Sequence, residues 1–335
     1  MNAPGSRGVR FAGTGVALPP GVLTNDDLAK RVDTSDEWIT QRTGIKQRHI
    51  ADEHTTARDL ARQALLAALD DADLKPTDLD LVLVATITPE MTCPSTAARL
   101  VDEIGATPAG AMDLTAACAG FVYGLNLAAP LIQTGQYQRI AIVGAEVLTK
   151  AVDFTDRRTC ILFGDAAGAT ILEATDDPTQ GCLLQTVRSD GGHWKHLYLP
   201  TDQTHLPEDP HERELFNGTL GALQMNGREV FKVAVQQTEN IILETLDRAG
   251  LQADEIASFI CHQSNARILE LTRKRLDLPA DKLPINIDRF GNTSAASIPL
   301  VMRDLQLAGQ FNPGDLILFT GIGGGMCWAT SLWKL

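Results

Sequence analysis

The feature that most restricts the fold of this 335-residue chain is that it repeats itself. ALDDADL at 68–74 returns as TLDRAGL at 245–251, 177 residues later, and the apolar runs DLVLV and ASFIC follow the two copies at the same spacing. A loop carrying Cys118, a helical stretch and Gly135-Gln136-Tyr137 return as a loop carrying Asn292, a helical stretch and Gly309-Gln310-Phe311, at an offset of 292 − 118 = 174. RIAIVGA and DLILFTG continue both series within two residues. Two helix–strand pairs in one order at nearly one offset indicate internal duplication. The apolar runs read as strands buried on both faces, and the longer stretches between them have helical spacing. The expectation is an α/β protein of two halves, 1–176 and 177–335, related by a pseudo-twofold axis that sets Asn292 opposite Cys118. Chemistry belongs between the halves, where strand-to-helix loops converge. Asp176 to Met225 has little periodicity and reads as surface loops.

No run of 18 apolar residues offers a membrane span, and MNAPGSRGVRF lacks an apolar stretch of signal-peptide length. The chain therefore reads as cytoplasmic, with its six scattered cysteines reduced. A net charge of 29 − 42 = −13 argues against nucleic acid as a partner. It also means that an acidic ligand needs the basic residues gathered in one place.

Cys118, in MDLTAACAGFVYGL, follows a buried strand and opens an apolar helix, whose unpaired N–H groups favour thiolate; a packed core cysteine is the plain alternative. His262, in FICHQSNARI, follows another buried strand and could be structural. A dyad with Cys261 is rejected, because successive strand side chains point to opposite faces. Asn292, in RFGNTSAASIPL, could be a turn and helix cap, but the pseudo-symmetry sets it against Cys118. The glycines of IGGGMCW could be a loose turn or a place where backbone N–H groups face a ligand. TSDEWITQR opens with a capping box, Thr34 with Glu37, and Trp38 and Arg42 share a face four residues apart. That pair could clamp an aromatic ring, or form an ordinary surface turn. Arg267, Arg273, Lys274 and Arg275, with Lys232, make a basic patch beside His262 that suits an acidic partner as well as a solvated helix face. His193, His196, His205 and His211, with Asp202 and Glu208, match no rigid metal motif.

AACAGF, HQSNARI, GNTSAAS, the late GGG…W and the early DTSDEWITQRTGI together resemble β-ketoacyl-acyl carrier protein synthase III, of the thiolase superfamily, in the family's order from about Phe11 onward. The resemblance implies a homodimer of thiolase-like, five-layered α/β/α/β/α subunits. It also implies condensation of a short acyl-CoA with malonyl-acyl carrier protein, with no metal or resident cofactor. It makes Cys118 the acylated nucleophile, completed by His262 and Asn292, with the N–H groups of Cys118 and Gly324 as oxyanion hole. Trp38, Arg42 and Arg157 fall to the nucleotide end of CoA; Lys232, Arg267, Lys274 and Arg275 to carrier-protein docking. Ser264 and Cys261 stand where the family usually has Ala and Pro. Cys93 stands where many members place Phe, as a floor of the other subunit's acyl pocket, and implies larger primers. PEDPHERELF reads as longer and more polar than usual. The alternatives are a secondary-pathway condensing enzyme or acyltransferase, a degradative thiolase using Cys327, and a non-catalytic carrier-binding scaffold.

Overall fold

The computed structural model describes residues 7–202 and 219–335. Two sheets carry the duplication. The first has five strands in the spatial order Gly8–Ala17, Asp165–Thr175, Arg139–Val147, Leu81–Ala85, Gly110–Leu114. The second orders Gly181–Ser189, Cys327–Lys334, Leu316–Gly323, Ser258–Cys261. Strand for strand, the first four strands of each sheet share one pattern of pairing, two antiparallel junctions followed by a parallel one. Gly110–Leu114 has no counterpart in the second sheet among the described residues.

Five layers stack on this frame. Helices Ala57–Asp71 and Thr96–Ile104 cover the outer face of the first sheet. Helices Gly120–Gln133 and Ser297–Leu307 lie between the sheets, and Gly227–Ala249 and Ala266–Arg275 close the far side. The central helices are apolar nearly all round because both faces are buried: Phe121, Leu125 and Ile132 share one core with Ile140 and Ile142 of one sheet and Phe319 and Trp333 of the other. The outer helix Ala57–Asp71 is amphipathic and starts at a capping box of Thr56 and Asp59.

The register of the repeat differs from the sequence expectation. Strands Leu81–Ala85 and Ser258–Cys261 begin 177 residues apart, as do Arg139–Val147 and Leu316–Gly323, and as do the single turns Ala117–Ala119 and Ser294–Ala296. The turn helices then run for 14 and 11 residues. The three-residue deficit creates the offset of 174 seen at Gly135 and Gly309, and a longer following loop restores 177. The positional equivalent of Cys118 is therefore Ala295; Asn292 lies three residues upstream, before the turn.

Two equivalent glycines hold the halves together. A Cβ on Gly144 would lie 2.3 Å from the Ala295 carbonyl oxygen, and one on Gly321 would lie 2.9 Å from Cα of Ala119. Each strand glycine thus admits the turn of the opposite half, and 144 + 177 = 321.

Two local expectations are corrected. The early helix Asp36–Thr43 is capped by Ser35, whose hydroxyl accepts the Trp38 N–H, so Thr34 and Glu37 form no capping box. Asp176 to Met225 holds the edge strand Gly181–Ser189 and a two-residue pairing of Leu197–Tyr198 with Gln224–Met225. The strand escapes periodicity because Leu183 and Val187 are exposed. The stretch 207–216, with His205 and His211, lies outside the described residues.

Candidate active site

Strand Gly110–Leu114 delivers the chain to the turn Ala117–Ala119, where Ala117 takes φ 45° and turns Cys118 inward. Ala119, the N-cap of the helix Gly120–Gln133, supplies no side-chain cap; the preceding turn satisfies the helix start instead, the Ala116 carbonyl accepting the Ala119 N–H at 3.1 Å and the Ala117 carbonyl the Gly120 N–H. A Cβ on Gly323 would fall 2.7 Å from the Cys118 nitrogen, so only glycine lets the late loop lie this close. Burial pushes the Cys118 thiol up to about 12, while the Ser294 hydroxyl and Cys118's own N–H pull it down and the Glu146 charge adds to the rise. The helix end does not outweigh desolvation in the resting site.

His262 is buried at the end of strand Ser258–Cys261, and desolvation lowers its imidazole to about 3, keeping it neutral. Its Nδ1 lies 2.7 Å from Ser297 Oγ, which already accepts the Gln263 N–H. The serine hydrogen is therefore available to Nδ1, which assigns the ring proton to Nε2 on the cavity side. Asn292 Oδ1 accepts the Ser294 N–H at 3.0 Å, so its NH₂ end is the part left for the cavity. Backbone bonds of Asn292 to Leu162 and from Gly164 fix the residue in place.

Cys118, His262 and Asn292 line one cavity of about 490 Å³, whose mouth carries Arg42, Arg228 and Arg267. Cys118 also borders a second cavity of about 530 Å³, walled by Ile87, Leu148, Trp194, Leu197 and Leu223 among others. Gly324 lines the second cavity. The cysteine sits at the junction of a basic-mouthed cleft and an apolar chamber. Cys93 is exposed; its neighbours Met91 and Thr92 line the chamber.

At the cleft entrance the guanidinium carbons of Arg42 and Arg157 each lie 5.3 Å from the Trp38 ring centroid, and Arg157 also bonds the Asp33 carbonyl oxygen. Asn265 Nδ2 donates to the Arg42 carbonyl oxygen and ties this helix to the His262 segment. Lys232 and Lys274 are exposed, Arg267 stacks on Phe231, and Arg275 pairs with Glu239 at 2.6 Å. Arg273 is turned to Glu270 and the Leu278 carbonyl oxygen.

The remaining thiols are differently placed. Cys261 is packed with Phe259 and Leu318 and burial raises it to about 12; burial raises Cys160 and Cys182 to about 11. Cys327, also raised to about 11 by burial, donates to the Ala116 and Gly324 carbonyl oxygens. Among the described residues no group of three or more His, Cys, Asp or Glu could hold a metal ion.

Sequence reasoning missed Glu146, Ser294, Ser297, Arg228 and Gly323. Glu146 had a signal: one carboxylate inside the apolar strand RIAIVGAEV. It is fully buried, and burial raises it to about 7. The others depend on contacts between segments far apart in sequence.

A cysteine-bearing turn facing its duplicate at the centre of a five-layered α/β/α/β/α stack defines a condensing enzyme of the thiolase fold. Two family models, both described as 3-oxoacyl-[acyl-carrier-protein] synthase III, match residues 112–191 and 246–335 (the latter the C-terminal part). The β-ketoacyl-[acyl-carrier-protein] synthase III of Caldanaerobacter subterraneus is 45% identical over 322 residues, 96% of each chain; that of Xylella fastidiosa is 44% identical over 323 residues, 96% of this chain and 97% of the relative. The 3-oxoacyl-[acyl-carrier-protein] synthase III of Aquifex aeolicus superposes with a TM-score of 0.89 at 41% identity, covering 98% of this chain and 100% of its own. The priming β-ketosynthase of the R1128 polyketide pathway superposes at 0.90 with 32% identity, covering 100% and 98%. The chain belongs to the β-ketoacyl-acyl carrier protein synthase III family.

Proposed function

We propose that this enzyme condenses an acyl-CoA with malonyl-acyl carrier protein, giving 3-ketoacyl-acyl carrier protein, CoA and CO₂, and so initiates fatty-acid synthesis. The observation that carries the reading is the single cavity lined by Cys118, His262 and Asn292.

In the first half-reaction the Cys118 thiolate attacks the acyl thioester, and the N–H groups of Cys118 and Gly324 hold the oxyanion. In the second, malonyl thioester loses CO₂ while Nε2–H of His262 and the Asn292 NH₂ group donate to the enolate oxygen. Neither donor must titrate, because burial keeps the imidazole neutral. The carbanion then attacks acyl-Cys118, and the chemistry needs no resident cofactor or metal. An adenine would stack on Trp38 between Arg42 and Arg157, displacing one guanidinium, and Arg228, with Lys232, Arg267, Lys274 and Arg275, meets the acidic carrier protein.

The chamber beside Cys118 is in the size range of pockets for drug-sized ligands. It supports primers larger than acetyl, with Cys93 flooring the chamber of a second subunit. Among the described residues strand Gly110–Leu114 is paired on one edge, and Met112 on it is exposed, which supports a homodimer formed through this edge. We place the enzyme in the cytoplasm: no described helix is long and apolar enough to cross a membrane, and all six cysteines are free. The units of duplication are 1–176 and 177–335; the first sheet ends at Thr175 and the second begins at Gly181. A secondary-pathway role draws less support, since the polyketide relative is 32% identical against 45% for the bacterial synthase.

Incubation with acetyl-CoA and malonyl-acyl carrier protein should yield acetoacetyl-acyl carrier protein, seen by intact mass; no product from active-site-intact enzyme overturns the reading. Comparing acetyl-, isobutyryl- and octanoyl-CoA reads the chamber, and strict acetyl preference refutes the larger primer.

A further inference from the structure

Acylation leaves a proton to place. The Cys118 thiol is buried, and its sulfur must become a nucleophile. His262 is poorly suited to take that proton, since desolvation holds its ring at about 3 and Ser297 occupies Nδ1. Across the junction of the halves, Ser294 borders the same chamber as Cys118, and its side chain bears on the thiol. The hydroxyl gives its one hydrogen to Glu146 Oε1 at 3.0 Å, which leaves an oxygen lone pair to accept the thiol hydrogen. Three more donors converge on this carboxyl: Thr88 Oγ1 at 2.7 Å, Thr86 Oγ1 at 3.3 Å and the Ile87 N–H at 3.2 Å.

We propose that Glu146, acting through Ser294, accepts the Cys118 proton during acylation, a positioning and proton-holding role that rests on Cys118 being the acylated nucleophile.

As the thiol proton moves to Ser294 Oγ, the hydroxyl's own proton moves to Glu146 Oε1, and the sulfur lone pair forms the bond to the acyl carbon. The carbon–sulfur bond to CoA breaks, and the departing CoA thiolate receives the proton that Glu146 held. Acylation therefore carries one proton from one sulfur to the other, with no oxidant or reductant. A carboxyl held near 7 by burial is matched to accepting and returning a proton at neutral pH.

Two observations favour a role beyond structure. Ser294 sits at φ 49°, in a left-handed conformation glycine would adopt more readily, at the position equivalent to Ala117 in the other half. Its hydroxyl, absent from Ala117, bonds the carboxyl and bears on the thiol. Nearby ionisable groups are otherwise engaged. On the neighbouring strand Asp165 accepts from Thr149 and Ala51, and Asp113 accepts from the Thr96 and Ala97 N–H groups. Cys118 itself is the charge coupled to Glu146.

The test is single-turnover acylation by acetyl-CoA, read by intact mass from pH 5.5 to 9, in wild type, Glu146→Gln and Ser294→Ala. Wild type should accelerate through a midpoint near 7. Both variants should acylate ~10²–10³-fold more slowly, as loss of a general base does, with the midpoint moved toward the thiol's own range. Malonyl-acyl carrier protein decarboxylation should stay within a few-fold, because neither group touches the enolate. Ser294→Ala keeps the other three donors on Glu146, so it reports even if Glu146→Gln does not fold. Wild-type rate and pH profile in Ser294→Ala, or equal loss of acylation and decarboxylation, overturns the relay. Cys118→Ala separates the two readings: if it still acylates, the nucleophile assignment fails; if it is inert while Ser294→Ala is normal, the relay alone fails.

Discussion

The turns Ala117–Ala119 and Ser294–Ala296 occupy equivalent places in the two halves, begin at φ 45° and 49°, and each lies against a strand glycine of the opposite half. Their side chains differ. The first turn presents a thiol; the second presents Ala295 at the matching place, with Ser294 before it and Asn292 upstream. His262 belongs to the second half and occupies the place of Ala85 in the first, since 85 + 177 = 262. Duplication built two equivalent bays at the centre of the molecule and equipped them unequally: a thiol from one half, the His262 imidazole and the Asn292 carboxamide from the other.

The strongest challenge to this asymmetry is Cys118→Ala, expected to lose acyl transfer by ~10⁴-fold or more while retaining malonyl decarboxylation. Restoring a thiol at the equivalent place, with Ala295→Cys added, should not rescue it. Acyl mass on Cys160 or Cys261 in wild type would break the assignment outright. The shared backbone is tested by Gly144→Val and Gly321→Val in chemical denaturation. Each should cost about 3 kcal/mol or more through backbone overlap, with Gly144→Val worse because its Cβ meets a carbonyl oxygen at 2.3 Å; unchanged midpoints would refute the paired bays.

Asn292→Ala sharpens the division of labour: decarboxylation should fall ~10²–10³-fold with Cys118 acylation intact, whereas loss of both would show that the halves do not act separately. Further out, Trp38→Ala should raise KM for acyl-CoA ~10-fold with kcat nearly unchanged, consistent with a lost stacking partner. The last effect is on the pH dependence of stability. His262 binds a proton near 6.5 when unfolded and only near 3 when folded, so between those values the unfolded state holds more protons. Stability should fall on acidification through that window by about 1.4 kcal/mol per pH unit at most, and His262→Ala should flatten the slope.

Much of this was readable before any coordinates. Strands at 81–85 and 139–147, the helix running to Gln133 and the stop at Gly135 follow from apolar runs, helical spacing and glycine. Cys118 stands out as opening an apolar helix after a buried strand and His262 as following another buried strand, whereas Asn292 rests on the pseudo-symmetry, whose register the structure moves by three residues to Ala295. The register of the repeat was misread, since a helix three residues shorter and a loop three longer cancel in the strands and show only between them. The edge strand Gly181–Ser189 was missed because an edge does not bury both faces. The spacing of Thr34 and Glu37 fits a capping box, but Ser35, at φ −148°, is the residue whose hydroxyl accepts the Trp38 N–H.

By itself the sequence determined the duplication, the alternation of strands and helices and which side chains are candidates for the chemistry, because these are local patterns of burial and chemistry. Only the tertiary structure decided that Glu146, Ser294 and Ser297 join them, and that Cys118 opens on two cavities at once. Those facts depend on which surfaces meet when two sheets close on a shared helical layer. No periodicity along one strand records the distance to a side chain 148 residues away.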